Sequence, residues 1–323
     1  MPTRQGSVHL FCFAGVDVYL HWAWFLMAAI EISTRTRDYS SFVWNVLEYL
    51  ALFVIVLMHE YGHALSCRQV GGNANRIVLW PLGGVAYVDP PPRPGATLWS
   101  IAAGPLVNVA LLVILIPIGF AGGALPWIQT VPGDVTLALP PDVRVLVKAL
   151  VGINVVLLAF NLLPIYPLDG GQILRSLLWF VMGRARSLMV ATLIGMLGVV
   201  GLVALAIYLE SRWMAIMAVF ILWNCWAGMK EARAMIRLGK MPQHSEYTCP
   251  ACQTSPPAVP LWICFRCSQL SQLTVPRIDL FRTQGRCPDC GQPAATIRCP
   301  FCGTESPLPA WSAPVPIAAA SER

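Results

Sequence analysis

His59, Glu60 and His63 stand in the order HEYGH at the end of an unbroken apolar run from Tyr49 to Met58. Two imidazoles four residues apart share one face of a helix, which suits two ligands of one tetrahedral metal, and the carboxylate beside the first is left free to act as a base. A charge at the centre of a membrane helix costs about 2.5–3.5 kcal/mol, so ionisable groups in such a run face a polar cavity or a metal. A surface helix with two unrelated histidines is the competing reading, and the apolar context weakens it. Farther along, Asn161 to Arg175 reads NLLPIYPLDGGQILR. Pro164 and Pro167 remove backbone donors and Gly170 with Gly171 relaxes the chain, so helical continuity fails there. Broken backbone at membrane depth survives only where it lines protein or water. Asp169 is then placed as an oxygen ligand that completes a His, His, Asp set and leaves a fourth position for water. Taken alone, Asp169 reads equally well as an exposed residue at an ordinary helix end.

A second group of metal-binding residues lies toward the other end of the sequence. Of eleven cysteines, eight form four CxxC pairs: Cys249 with Cys252, Cys264 with Cys267, Cys287 with Cys290 and Cys299 with Cys302. Each pair can give two thiolates to one zinc, and CPDCG and CPFCG look like the knuckles of zinc ribbons. Disulfides compete with this reading but not in a reducing cytoplasm. A redox role would want a βαβ pattern, which the segment lacks. Two structural zincs are expected. Sequential pairing, 249/252 with 264/267 and 287/290 with 299/302, closes loops of only 11 and 8 residues. Cross-braced pairing stays open, because closure entropy grows slowly with loop length. Four thiolates leave no place for water, so these sites are read as structural.

The elements that must position these residues follow from composition. The chain has 323 residues, 56% hydrophobic and 12% charged, with a mean hydropathy of +0.62. Such a balance belongs in lipid. Six spans are expected, at 18–32, 46–67, 98–120, 146–167, 188–209 and 213–229. The first is short and carries His21; a cleaved signal peptide is its rival, but the flanks lack a basic start and a small-residue cleavage site. The net charge of +6 is spread over the flanks of the spans and forms no dense patch. Arg68, Arg76 and Arg93, then Arg175, Arg184 and Arg186, then Lys230, Arg233, Arg237 and Lys240 place the intervening segments in the cytoplasm under the positive-inside rule. Loops 33–45 and 121–144 then face outside, and both termini are expected in the cytoplasm. Between spans two and three, 76–88 reads as a β-hairpin around Pro81, Gly83 and Gly84, and 89–95 as a stiff return to the membrane. The fold class is thus an α-helical polytopic membrane protein with about six transmembrane helices, a cytoplasmic hairpin and a small zinc-ribbon domain. The expected division is 1–240 for the membrane domain, 241–305 for the ribbons and 306–323 for a Pro/Ala/Ser-rich disordered tail.

HEYGHAL together with NLLPIYPLDGG closely resembles the site-2 protease family of intramembrane metalloproteases. The resemblance covers roughly 8–235, taking in His21 and Trp22, the PLGG of Pro81 to Gly84 and the AGPLVN of Ala103 to Asn108. It is most similar to the compact bacterial, sporulation-type branch. It implies zinc held by His59, His63 and Asp169, Glu60 as catalytic carboxylate and Asn161 near the scissile carbonyl. Members of that branch often carry cytoplasmic domains of another type, so regulation and substrate do not carry over.

The chemistry agrees with the residues on its own terms. Zinc activates water near neutral pH and polarises a carbonyl. Glu60 would take the proton and pass it to the leaving amine, and Asn161 could donate to a developing oxyanion. Interhelical hydrogen bonding is the competing role for Asn161, and Asn108 has the same two readings with less motif support; Gly104 with Pro105 reads as close approach and a kink. Cys67 is read as a small packing residue, His21 as an interfacial histidine and Arg175 as a side chain that snorkels to the interface. The expected activity is zinc-dependent cleavage of a transmembrane protein substrate at the cell membrane, in contact with lipid. The ribbons would dock a cytoplasmic partner; nucleic acid, given Arg266, Arg277, Arg282, Arg286 and Arg298, is the lesser alternative. The rival reading is an inert scaffold recruiting partners through its ribbons, which has no need of Glu60. A transporter would show duplicated halves, and none are found. A helical substrate must also be unwound to be cut, for which the 76–88 hairpin offers an edge strand.

Overall fold

The computed structural model describes residues 6–34, 39–80, 83–125, 139–270 and 277–311. Two compact units emerge: Met1–Gly183 with Val190–Trp226, and Arg184–Met189 with Ala227–Arg323.

The first unit opens with strands β1 (Ser7–Phe13) and β2 (Val16–His21), followed by helices α1 (Ala23–Thr34) and α2 (Phe42–Gln69). Strands β3 (Asn73–Trp80) and β4 (Gly83–Asp89) form the expected hairpin; its turn residues Pro81 and Leu82 lie outside the described residues. Helices α3 (Pro94–Ala121), α4 (Pro141–Asn161), α5 (Asp169–Met182), α6 (Arg184–Tyr208) and α7 (Arg212–Gly239) complete the helical part. Of these, α2, α3, α4 and α6 are long and apolar enough to cross a membrane among the described residues. The chain is a multi-pass membrane protein. The expected span 213–229 lies within α7, and loop 121–144 falls largely outside the described residues.

The expected first span, 18–32, is corrected. Residues 16–21 are a strand, and among the described residues before α2 only the 12 of α1 are helical. At 1.5 Å per residue α1 is about 18 Å long, short of a hydrocarbon core of about 30 Å. Val16, Val18 and Leu20 alternate inward along β2, which is the strand period and not the helical one.

The four strands form one sheet in the order β1-β2-β3-β4, antiparallel except for the parallel β2–β3 pair. Parallel neighbours need a long crossover, and α1 with α2 supplies it. The inward residues Val16, Val18, Leu20, Ala74, Ile77 and Leu79 bury against Val56, Ala64 and Cys67 of α2. Cys67 is therefore the packing residue expected. His21 stacks on Trp80 with ring centroids 4.3 Å apart, and its Nδ1 accepts from the Ala23 N–H at the start of α1. One outcome of this packing is that β4 becomes a free edge beside α2.

The second unit contains little regular structure beyond its helical segments. It has a short helix α8 (Phe265–Leu270) and the two-residue strands β5 (Ile297–Arg298) and β6 (Glu305–Ser306). Its core gathers Ile278, Leu280, Phe281, Ile297, Trp311 and the cysteines. The disordered tail expected from 306 is corrected in part. Ser306 pairs in β6, Leu308–Ala310 form a 3-10 turn and Trp311, 1% exposed, packs edge-on against Phe281. A tryptophan buries more apolar area than the neighbouring prolines disfavour, so the ordered domain reaches at least Trp311. Residues 312–323 lie outside the described residues.

Candidate metal centres

Helix α2 carries His59 and His63 one turn apart, and both point to the N-terminus of α5, where Asp169 is the first helical residue. The Pro164–Pro167 break ends α4 at Asn161 and lets the chain restart as α5, which puts a carboxylate at a helix N-terminus. Nε2 of His59 lies 3.1 Å from Oδ2 of Asp169 and 3.1 Å from Nε2 of His63, and the His63–Asp169 distance is 3.4 Å. Tetrahedral ligation with bonds of about 2.0–2.1 Å separates ligand atoms by about 3.3 Å. The three atoms already have that spacing. His59 and His63 are almost wholly buried, and the Asp169 side chain is 14% exposed.

The far sides of both rings decide what the near sides offer. Nδ1 of His63 faces the carbonyl oxygen of Ser100 at 2.9 Å. A carbonyl only accepts, so this nitrogen carries the proton and Nε2 of the neutral ring presents a lone pair. Nδ1 of His59 is likewise hydrogen-bonded to Oδ1 of Asn108. With both Nδ1 atoms engaged from behind, each neutral ring can turn an Nε2 lone pair toward a cation beside the Asp169 carboxylate. The donor set fits zinc.

Two glycines make this possible. A Cβ on Gly104 of α3 would sit 2.3 Å from Nε2 of His63 and 2.8 Å from Nε2 of His59. A Cβ on Gly84 of β4 would sit 2.2 Å from Cγ of Glu60. Close approach, as expected for Gly104, is therefore the reason for both. Glu60 is buried, and its Oε2 accepts the Ala86 N–H at 2.7 Å, so the free edge of β4 runs past this carboxylate. Asn161 ends α4, half-buried, and makes no hydrogen bond to His59, Glu60, His63 or Asp169 among the described residues.

Ser100 and Asn154 were not legible as site residues. Asn154 accepts from Nδ2 of Asn108 and is wholly buried. The available signal was its place seven residues before Asn161, on the same helical face and as the one polar residue in the apolar stretch 149–160. Ser100 reaches the His63 ring through its carbonyl, for which side-chain identity gives no signal.

In the second unit the cysteines assemble as Cys249, Cys252, Cys299 and Cys302, and as Cys264, Cys267, Cys287 and Cys290. The sequential pairing is therefore corrected to a nested one, with the inner two knuckles on one metal site and the outer two on the other. The cause is energetic scale. Each doubling of loop length costs only about 0.6 kcal/mol, and closing the inner site first shortens the outer loop. Burying Phe281, Ile278, Ile297 and Trp311 together outweighs that difference. The Sγ–Sγ distances are 3.6 and 3.7 Å in each group. Zinc–sulfur bonds of about 2.3 Å in a tetrahedron give about 3.8 Å. A disulfide would require about 2.05 Å.

Apolar helices around a buried His, His, Asp set with an adjacent glutamate define a membrane protein with the metal centre of a metallopeptidase. A model described as "Peptidase family M50" matches residues 48–140 and 128–205. The chain belongs to this peptidase family, that of the site-2 proteases. It is 33% identical over 189 residues to a zinc metalloprotease of Methanocaldococcus jannaschii, covering 58% of this chain and 50% of that protein. It is 32% identical over 127 residues to stage IV sporulation protein FB of Bacillus subtilis, covering 39% of this chain and 38% of that one. Against the solved site-2 protease from Methanocaldococcus jannaschii it is 27% identical, with a TM-score of 0.49, over 69% of this chain and 95% of that one. The chain thus spans half or less of the length of these two curated relatives.

Proposed function

We propose that the protein is a zinc-dependent endopeptidase that cuts peptide bonds in or near transmembrane segments of other membrane proteins. The observation that carries this reading is the spacing of His59 Nε2, His63 Nε2 and Asp169 Oδ2, with Glu60 on the same helix and at the same depth. Zinc bound there supplies a Lewis acid that activates water and polarises the scissile carbonyl. Glu60, fixed through Oε2 by Ala86, uses Oε1 to take the proton from the attacking water and return it to the leaving amine. Asn161, at the broken end of α4, donates to the developing oxyanion. The free edge of β4 holds the unwound substrate chain in extended form by strand addition, beside Glu60. Residues 1–240 form the catalytic domain, with both termini on the cytoplasmic side of the cell membrane. The two thiolate sites each hold a structural zinc, and the ribbons dock the soluble part of the substrate or a cytoplasmic protein. An inert scaffold is disfavoured because it gives no reason for a buried glutamate beside a metal site.

The test is Glu60→Gln in purified full-length protein with a panel of single-span substrates. Metal ligation does not use Glu60, so zinc content should stay at the wild-type level while turnover falls about 10²–10⁴-fold. His59→Ala, His63→Ala and Asp169→Ala should each remove one zinc per chain. Near-normal cleavage by Glu60→Gln removes the proposed mechanism, and normal zinc in Asp169→Ala removes the ligand set.

A further inference from the structure

A chain of buried polar side chains leads away from the metal-facing atoms through three membrane helices. It runs from His59 on α2 to Asn108 on α3 and Asn154 on α4, with both asparagines 0% exposed. Nδ1 of His59 meets Oδ1 of Asn108, Nδ2 of Asn108 donates to Oδ1 of Asn154, and Nδ2 of Asn154 is buried with no hydrogen-bond partner among the described residues.

An amide can turn over, exchanging its oxygen and nitrogen with little change of shape. Two directions are therefore open to this chain. In the observed one, His59 donates from Nδ1 and its Nε2 presents a lone pair toward Asp169 and His63. In the reversed one, Asn154 donates to Asn108 and Asn108 donates to Nδ1 of His59. The imidazole proton is then forced onto Nε2, the atom 3.1 Å from Asp169 Oδ2, where it blocks ligation. Reversal would also give the orphaned Nδ2 of Asn154 a partner. The observed direction therefore keeps a buried donor unsatisfied and keeps His59 competent.

We propose that Asn154 is a positioning residue of the metal site. By accepting from Nδ2 of Asn108 it holds Oδ1 of that amide toward His59, and so selects the tautomer whose lone pair faces the metal. This rests on the reading of His59 as a metal ligand. The competing role is interhelical hydrogen bonding between α3 and α4, which would act on assembly and leave the tautomer alone.

The two roles separate on rescue. Asn154→Leu removes the acceptor at similar volume, and should weaken zinc at the membrane site about tenfold, the low end for partners behind a ligand. Asn108→Asp has no N–H to reverse, so in Asn108→Asp/Asn154→Leu zinc affinity should return to within about threefold of that of Asn108→Asp alone. Affinity is read on the full-length protein by chelator competition. Cobalt substitution separates the sites, since thiolate-to-cobalt charge-transfer absorption reports only the ribbons. Wild-type affinity in Asn154→Leu overturns the proposal, and so does a double variant no better than Asn154→Leu. If the leucine variant does not fold, Asn154→Ala and Asn108→Asp/Asn154→Ala carry the same comparison. His59→Ala is measured alongside. If it leaves the membrane zinc in place, the ligand reading itself fails; if it removes that zinc while Asn154→Leu does not weaken it, only the positioning role fails.

Discussion

The two kinds of metal site in this protein solve opposite problems. At the membrane site the scaffold exists first: α2, α3, α4 and α5 bring His59, His63 and Asp169 together, and Ser100 and Asn108 orient the rings from behind. Three protein ligands leave a tetrahedral position open, which chemistry requires. In the ribbons the relation is reversed. Past α7, regular structure among the described residues amounts to one six-residue helix, one 3-10 turn and two two-residue strands, and three of the eight buried residues of the core that must hold them are cysteines. Four thiolates close each site, so nothing remains for a substrate. An open site is affordable where the fold stands without the metal, and a closed one is needed where the metal completes the fold.

Removing zinc should therefore have unequal consequences, and this is the largest effect expected. Structural zinc sites of this type contribute about 10–16 kcal/mol to folding, far more than an ordered segment of this size can supply by itself. Exhaustive chelation should abolish hydrogen-exchange protection around Cys249–Cys302 while the amides of α2 and α3 stay protected. Equal loss in both regions would contradict the contrast. Acid should act in the same direction on the ribbons. Burial pushes the Cys249 thiol up to about 11, above its ordinary value. A raised thiol favours the metal-free fold below the ordinary value and loses that contribution as pH rises through about 11. Zinc needs the thiolate, so loading displaces the proton, and zinc affinity falls as pH is lowered. A zinc titration from pH 8 downward should show the ribbons unfolding as they release metal, with the membrane helices unchanged.

How much of each region could be read from residues alone follows the same contrast. HEYGH and the Asp169 segment carry their geometry locally: one helical turn sets two ligands, and two prolines with two glycines set the break that frees the third. The hairpin was equally local, since Arg76 to Val88 contains both strands and their turn. The ribbon pairing was not local. Four equivalent knuckles differ only in what lies between them, and the choice fell to Phe281 and Trp311, which no spacing rule weighs. The first span failed because a hydropathy window joins Val16–His21 to Ala23–Thr34, merging a strand of alternating burial with a short helix. Asn154 was hidden because one polar residue within the apolar stretch 149–160 does not name its partner.

The membrane site, being preformed, should be sensitive to steric changes that do not touch its ligands. Gly104→Ala puts a methyl within 2.3 Å of the ligand nitrogen of His63, and no flexible side chain stands between to give way. The rings must turn or α3 must withdraw from α2. Zinc at that site should weaken by about 10–100-fold, comparable to loss of a partner behind a ligand, and cleavage should fall with it. The ribbon zincs should be unaffected. A variant that keeps full zinc and activity would mean that α3 is loosely held, and that the site is less preformed than the contrast requires.

The smallest expected effect concerns the edge of β4, because it separates holding the substrate from holding the metal. Ala86 directs its N–H to Glu60, and Val88, two residues along the strand, presents its N–H to the same side. Proline lacks that donor but is tolerated at a sheet edge, where no ladder bond is lost. Val88→Pro should leave zinc content and the β3–β4 pairing intact, and raise KM about fivefold with little change in kcat, since one strand-addition bond of about 1 kcal/mol is removed. Ala86→Pro removes instead the donor that fixes Glu60, so kcat should fall. Tyr87→Pro, on the β3-facing side, should instead disrupt the hairpin and lower stability. If Val88→Pro and Ala86→Pro behave alike, then either the edge does not bind substrate or Ala86 does not position Glu60. Measuring both constants for a peptide spanning the cut, and for a shorter one lacking the extended flank, distinguishes these, because only the longer substrate can lose edge contacts.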